Sequence, residues 1–193
     1  MLRHEQQCGA VKVPNSKIRF TSFPLTEPPP EFASAVVTAF QEQEGSCGTL
    51  NLVKGLTSNE VLSLLRPALM KLGFMIEGGA LKADRIERPV FFGENGVPEL
   101  QYRIDAYQAD WKCGLEVEAG RAWMGNAVYR DLVQALVMVD MDHLILAVPN
   151  SYKYNSSGKP IVSADYDNTI AVAKALYGHS RVRLPYGLTV LGY

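Results

Sequence analysis

Between His143 and Pro149 runs Leu144-Ile145-Leu146-Ala147-Val148, five successive apolar residues, and no other stretch constrains the chain more. A strand with no polar face has to be covered on both sides, as a central strand is in a sheet flanked by helices. Upstream, residues 126–141 carry Ala127, Val128, Leu132, Val133, Ala135, Leu136, Val137, Met138 and Val139, a pattern apolar on nearly every side that predicts a buried helix. Before it, Gly114-Leu115-Glu116-Val117-Glu118-Ala119 alternates like a strand. Strand, helix, strand implies a parallel crossover, which makes the Glu116 strand central too.

Carboxylates are out of place on such a strand. Residues 100–107 alternate as well, and the short polar segment Gln108 to Cys113 predicts a hairpin turning near Asp110-Trp111-Lys112. Centred on Asp110-Trp111, the hairpin sets Asp105 directly opposite Glu116, with Glu118 on the same face, because side chains alternate with period two. Directly paired residues have Cβ atoms roughly 4.5–5.5 Å apart, so the like charges repel unless a cation lies between them. Hard oxygen donors with room for water suit Mg²⁺ or Mn²⁺ rather than zinc. A Glu-x-Glu on a strand is by itself usually a solvated edge; its place before a crossover helix is what argues for chemistry.

Asp105, Glu116-x-Glu118 on the next strand, and the helix and apolar strand that follow resemble the PD-(D/E)XK nuclease superfamily, and within it the BglII/BamHI branch of type II restriction endonucleases. The similarity runs from about Lys82 to the C-terminus and is densest at Arg88-Pro89-Val90-Phe91-Phe92-Gly93, Ile104-Asp105, Leu115-Glu116-Val117-Glu118-Ala119-Gly120-Arg121 and Gly125-Asn126-Ala127. The resemblance implies an α/β fold of α+β mixed-sheet type, a restriction-endonuclease-like core in which an antiparallel meander is followed by a parallel crossover, flanked by helices. It implies a Mg²⁺- or Mn²⁺-dependent endonuclease hydrolysing DNA phosphodiester bonds, with Asp105, Glu116 and Glu118 catalytic. Asp105, Glu116 and the Val117 carbonyl would hold the metal. Glu118 stands where most of the superfamily has Lys, a departure that the branch allows. Lys112, Arg121, Asn126 and Arg130 are the candidate DNA contacts, with Asn126 read equally as the helix cap. Cutting both strands of a duplex implies a homodimer. The competing reading is a catalytically silent DNA-binding or accessory protein that keeps the fold.

With 193 residues, net charge -1, 47% hydrophobic and 20% charged residues, the composition is that of one ordinary globular domain over 1–193, with an irregular arm at 1–30 and a nuclease core at 80–193. No apolar run approaches the ~18 residues of a membrane span, and Met1-Leu2-Arg3-His4-Glu5 lacks a signal-peptide core, so the cytoplasm is the expected compartment. Cys8, Cys47 and Cys113 are odd in number and scattered, indicating free thiols rather than a disulfide framework or zinc site. His4, His143 and His179 are isolated, so nucleophilic catalysis through a Ser or Cys paired with His has no support. Near-zero charge lowers the expectation of tight non-specific DNA binding. The clusters Lys82-Arg85-Arg88 and Lys174, Arg181, Arg183 read mainly as solvated surface.

The remaining chain predicts a short strand at 17–23, a helix at 31–44 stopped by Gly45, and a helix at 58–72 stopped by Gly73. Thr57 and Glu60 have capping-box spacing, which assigns Glu60 to the helix start; Glu60 and Glu87 are also the candidate extra acids. Residues 80–92 are expected as the first strand of the sheet, and Gly93-Glu94-Asn95-Gly96 as the turn after it. Residues 149–159 read as a polar loop, 167–177 as the last helix, and Leu188 to Leu191 as the last strand. Trp111 and Trp123 are assigned to packing.

Overall fold

The computed structural model describes residues 15–50, 55–78, 84–120, 122–123 and 125–193. Its main sheet has six strands: β1 (Arg19–Phe23), β2 (Met75–Ile76), β5 (Ala106–Gln108), β6 (Cys113–Val117), β7 (His143–Val148) and β10 (Gly187–Gly192), in the order β1-β10-β7-β6-β5-β2. The β6–β7 and β7–β10 pairs are parallel and the others antiparallel. Two further ribbons stand apart, β3 (Ile86–Phe92) with β4 (Pro98–Ile104), and β8 (Tyr152–Ser156) with β9 (Lys159–Ser163). The helices are α1 (Glu31–Glu42), α2 (Glu44–Cys47), α3 (Ser58–Lys71), α4 (Ala127–Val137) and α5 (Asp165–Gly178).

Every residue of β7 is buried, and alternation divides them between two cores. Ile145 and Ala147 pack with Leu115, Val117 and the apolar faces of α1 and α3. Leu144, Leu146 and Val148 pack with Leu188, Val190 and residues of α4 and α5. The layers are therefore helices, mixed sheet, helices, with β6 and β7 in the middle. On β6 the same alternation sends Cys113, Leu115 and Val117 to the α1–α3 side, which leaves Gly114 and Glu116 facing α4. Gly114 lets two side chains pack close to the strand: a Cβ there would lie 2.3 Å from Ile104 Cδ1 and 2.8 Å from Met141 Cε, so both would have to shift.

The hairpin between β5 and β6 has the expected register, with Ala106 opposite Leu115 and Gln108 opposite Cys113. Several other expectations are corrected. Residues 86–92 do not open the sheet; they pair only with β4, because the chain bends at Asp105 and carries that ribbon away from β5. The edge beside β5 is formed instead by β2, and the opposite edge by β1 of the N-terminal arm against β10. Helix α4 ends at Val137 and is buried on one face only, with Tyr129, Val133, Leu136 and Val137 exposed. Residues 149–159 are not a loop, since β8 and β9 turn through Ser157 and Gly158, both at positive φ, the geometry of a tight hairpin. Gly45 lies within α2 rather than stopping α1, and Glu44 is engaged by Ser16 and the Lys17 N–H. Helix α3 starts with the full Thr57–Glu60 capping box, which fixes Glu60 away from any metal role, and Gly73 follows it at φ 82°. Trp111 stacks on Phe32 at 5.1 Å in the core. Among the described residues no helix is long and apolar enough to cross a membrane.

Candidate functional site

Asp105 sits at the bend where β4 leaves and β5 begins. Backbone pairing with β6 ends at Ala106–Leu115, and the Asp105 side chain takes over: its Oδ2 accepts the Val117 N–H at 2.8 Å. That bond pins the carboxylate beside Glu116. On the other side the Asp105 carbonyl accepts the Glu77 N–H at 2.8 Å, extending the two-residue pairing of β2 with β5 and bringing Glu77 to the same place. Arg103 forms an ion pair with the Glu77 carboxylate.

Glu116 pairs in register with Leu146 and is 9% exposed. Glu118 lies just beyond the strand, its N–H given to Ala147 O at 2.9 Å and its carbonyl accepting the Tyr193 hydroxyl at 2.8 Å. Both backbone groups are thus tied, and the side chain projects towards α4. There it meets Arg130, whose Nη2 donates to Glu118 Oε1 at 2.8 Å and whose Nε donates to Asp131 Oδ1 at 2.9 Å. Asp131 lies on the buried face of α4 with Val128, Leu132 and Ala135. Its side chain is 1% exposed, and its Oδ2 has no hydrogen-bond partner.

Asp105, Glu116, Asp131 and Arg130 line one open cleft of about 600 Å³ with Glu77, Arg103, Gln101, Gln134 and Asn59. The electrostatics follow from crowding acids where water is scarce. Burial pushes Asp105 up to about 6 against the pull of the Val117 N–H. Burial raises Glu116 well above the usual carboxylate range, with the charges of Asp105 and Asp131 adding to it. Glu118 is pushed up to about 8 by burial and then by Asp131. Asp131 is raised by burial despite Arg130. The cluster is short of positive charge, which is the condition of a cation site or of a general acid–base site.

The other sequence candidates are distributed less favourably. Lys112 is in the β5–β6 turn at φ 45°, paired with Asp142. It lies at the opposite end of β6 from the acids, about 13 Å from Glu116 at a strand's rise per residue. Arg121 lies outside the described residues, as does Lys82. Asn126 is the N-cap of α4 by position, its carbonyl accepting the Arg130 N–H at 3.1 Å, but at φ 57°, a conformation Asn tolerates, its side chain makes no capping bond. Glu87 lies in the β3–β4 ribbon opposite Arg103. Arg88 is engaged by Asp140 and stacks over Tyr107. Asp131, Glu77 and Arg103 were not anticipated. Asp131 did leave a signal, as an acid inside the stripe Val128, Leu132, Ala135.

No protein-family profile matches the chain, and no curated protein is found similar to it. Among solved structures, restriction endonuclease BglII complexed with a DNA 16-mer is similar, with a TM-score of 0.50 and 11% sequence identity over 92% of this chain and 76% of the other. The mixed sheet flanked by helices is thus a restriction-endonuclease-like fold.

Proposed function

We propose that this chain is a divalent-metal-dependent endonuclease that hydrolyses DNA phosphodiester bonds, with the PD-(D/E)XK arrangement at Asp105, Glu116 and Glu118. The observation that carries this reading is the meeting of Asp105 and Glu116 on one cleft wall, joined by the Asp105–Val117 hydrogen bond, in a restriction-endonuclease-like fold. Hard carboxylate oxygens crowded without enough counter-charge, and the partnerless Oδ2 of Asp131, fit Mg²⁺ or Mn²⁺. Among the described residues no three acidic, His or Cys side chains close into a ready ligand set. Mg²⁺ does not ask for one, being commonly held by one or two carboxylates with water and substrate phosphate.

Asp105, Glu116 and the Val117 carbonyl are the groups assigned to hold the ion. Such an ion, when bound, stabilises the charge that develops at phosphorus and on the leaving oxygen. Glu118 orients the attacking water and takes its proton, a role for which a pKa near neutrality is suited. Its tied backbone limits the directions in which the carboxylate can point. Arg130, on the cleft wall, and Asn126 at the start of α4 are the groups assigned to phosphate, with Arg121 kept in that set from the sequence alone. Lys112 is dropped from that set by its distance. Duplex DNA as substrate and a homodimer as the working unit are part of the same proposal.

A second reading, a silent DNA-binding relative, is favoured by the ion pairs that occupy Glu118 and Asp131. Plasmid and single-stranded DNA incubated with Mg²⁺ or Mn²⁺ separate the two. Metal-dependent fragments that vanish in Glu116→Ala support the nuclease; DNA retained by a folded protein without any cleavage supports the silent fold.

A further inference from the structure

Glu118 and Asp131 are both held by Arg130. One guanidinium therefore sits where the acid cluster most needs positive charge. The hold is not symmetrical, however. Asp131 is almost wholly buried and still has one oxygen without a partner, whereas the Arg130 side chain is 57% exposed and borders the open cleft. A long, solvated side chain on the first turn of α4 can leave once another positive charge takes its place beside the two carboxylates. The buried acids it neutralises cannot follow it.

Resting on the nuclease reading, we infer that Arg130 is a resident counter-ion that exchanges with the divalent cation. An ion held by Asp105, Glu116 and the Val117 carbonyl takes over the neutralisation of Asp131, Glu118 is freed from the guanidinium to meet the attacking water, and the released guanidinium turns within the cleft to a DNA phosphate. Asp131, buried on the helix face that looks on Glu116, is thereby held by the guanidinium in the metal-free protein and by the charge of the cation once it is loaded. The exchange also couples metal loading to substrate grip. While Arg130 neutralises two carboxylates its charge is spent, and after the exchange its planar fork is available for bidentate phosphate contact.

Mn²⁺ titration by calorimetry in the absence of DNA tests the exchange, using the native chain, Arg130→Gln and Arg130→Lys. Arg130→Gln removes the competing charge from an exposed position with a good helix former, and Mn²⁺ should bind roughly tenfold tighter or more. Arg130→Lys keeps a charge without the fork and should fall between the two; it carries the test if the Gln variant proves unstable by circular dichroism. Mn²⁺ binding that is equal or weaker in these variants overturns the exchange while leaving the nuclease reading intact. A native chain that takes up no Mn²⁺ overturns the nuclease reading itself. The transfer to phosphate is read from the salt dependence of affinity for a phosphorothioate duplex. With Mn²⁺ present, Arg130→Gln should lower the slope by about one; without metal, no change is expected. Tighter metal with an unchanged slope refutes the transfer.

Discussion

Asp105→Asn should make the metal-free protein more stable at alkaline pH while abolishing its metal response. Asp105 carries its charge in a buried place: burial raises its pKa from 3.8 to about 6. A shift of about two units corresponds to about 3 kcal/mol at most. The folded state holds the proton more tightly than the unfolded chain, so wild-type stability from this group is full below pH 4 and is lost as pH rises through 6. Asn keeps an acceptor for the Val117 N–H, and the pull of that N–H on the charged carboxylate is already contained in the net shift. The gain at pH 8 is therefore up to about 3 kcal/mol, or about 6–12 °C in melting temperature for a chain of this length. At pH 4 the gain should vanish. Urea midpoints for the two proteins at pH 4, 6 and 8 in EDTA measure the difference. Added Mg²⁺ should then reverse the order, stabilising the native chain by ~2.7 kcal/mol at a hundred times its dissociation constant and Asp105→Asn by far less. A difference between the two proteins that does not change with pH would refute the reasoning, because it would mean that Asp105 is not held charged against burial.

Three other outcomes are expected. His143 is buried against Phe32 and bonded to Thr189, and burial lowers its pKa to about 4. The stability of its neutral form is therefore present above pH 6.5 and lost as pH falls towards 4, by up to about 3 kcal/mol, and His143→Gln should flatten that acid limb in denaturant titrations. Gly114→Ala forces a methyl against Ile104 and Met141; it should cost about 1–3 kcal/mol and, by displacing the residue next to Asp105, depress Mn²⁺ affinity measured by calorimetry. Thr57→Ala breaks the α3 capping box and should cost about 1 kcal/mol in thermal melts, with Mn²⁺ affinity unchanged because Glu60 serves the helix.

What could be read from the residues was what short-range periodicity determines. The unbroken Leu144–Val148 run required cover on both sides, and that requirement alone made β7 central and β6 its parallel neighbour. The polar segment between β5 and β6 set the hairpin's centre, and with it the juxtaposition of Asp105 and Glu116, because a register once centred leaves no freedom. The misses have the opposite character. Residues 86–104 do look like sheet strands locally, and nothing within them says that the bend at Asp105 will hand the ribbon to a sheet of its own. Glu77 enters the cleft through a two-residue strand pairing across thirty positions, a non-local contact without a periodic signature. The β8–β9 ribbon was hidden by its polar composition, although Ser157-Gly158 is the kind of pair that turns a tight hairpin.

Asp131 was missed for a more instructive reason. Counting α4 as apolar on every side absorbed the acid into the pattern, when the buried stripe proper is Val128, Leu132 and Ala135 with Asp131 inside it. An ionisable residue in that stripe needs a partner at the position it faces, and on β6 the position facing α4 is the one that carries Glu116 and, beyond it, Glu118. Glu116 near the end of the strand, Glu118 just beyond it and Asp131 from the helix covering it leave a deficit of positive charge that Arg130 partly offsets in these ion pairs. Packing alone would have placed an apolar residue at 131, as Leu132 and Ala135 are. Its presence there shows that α4 supplies part of the cleft's charge, and under the proposed nuclease reading strand and helix would serve one cation.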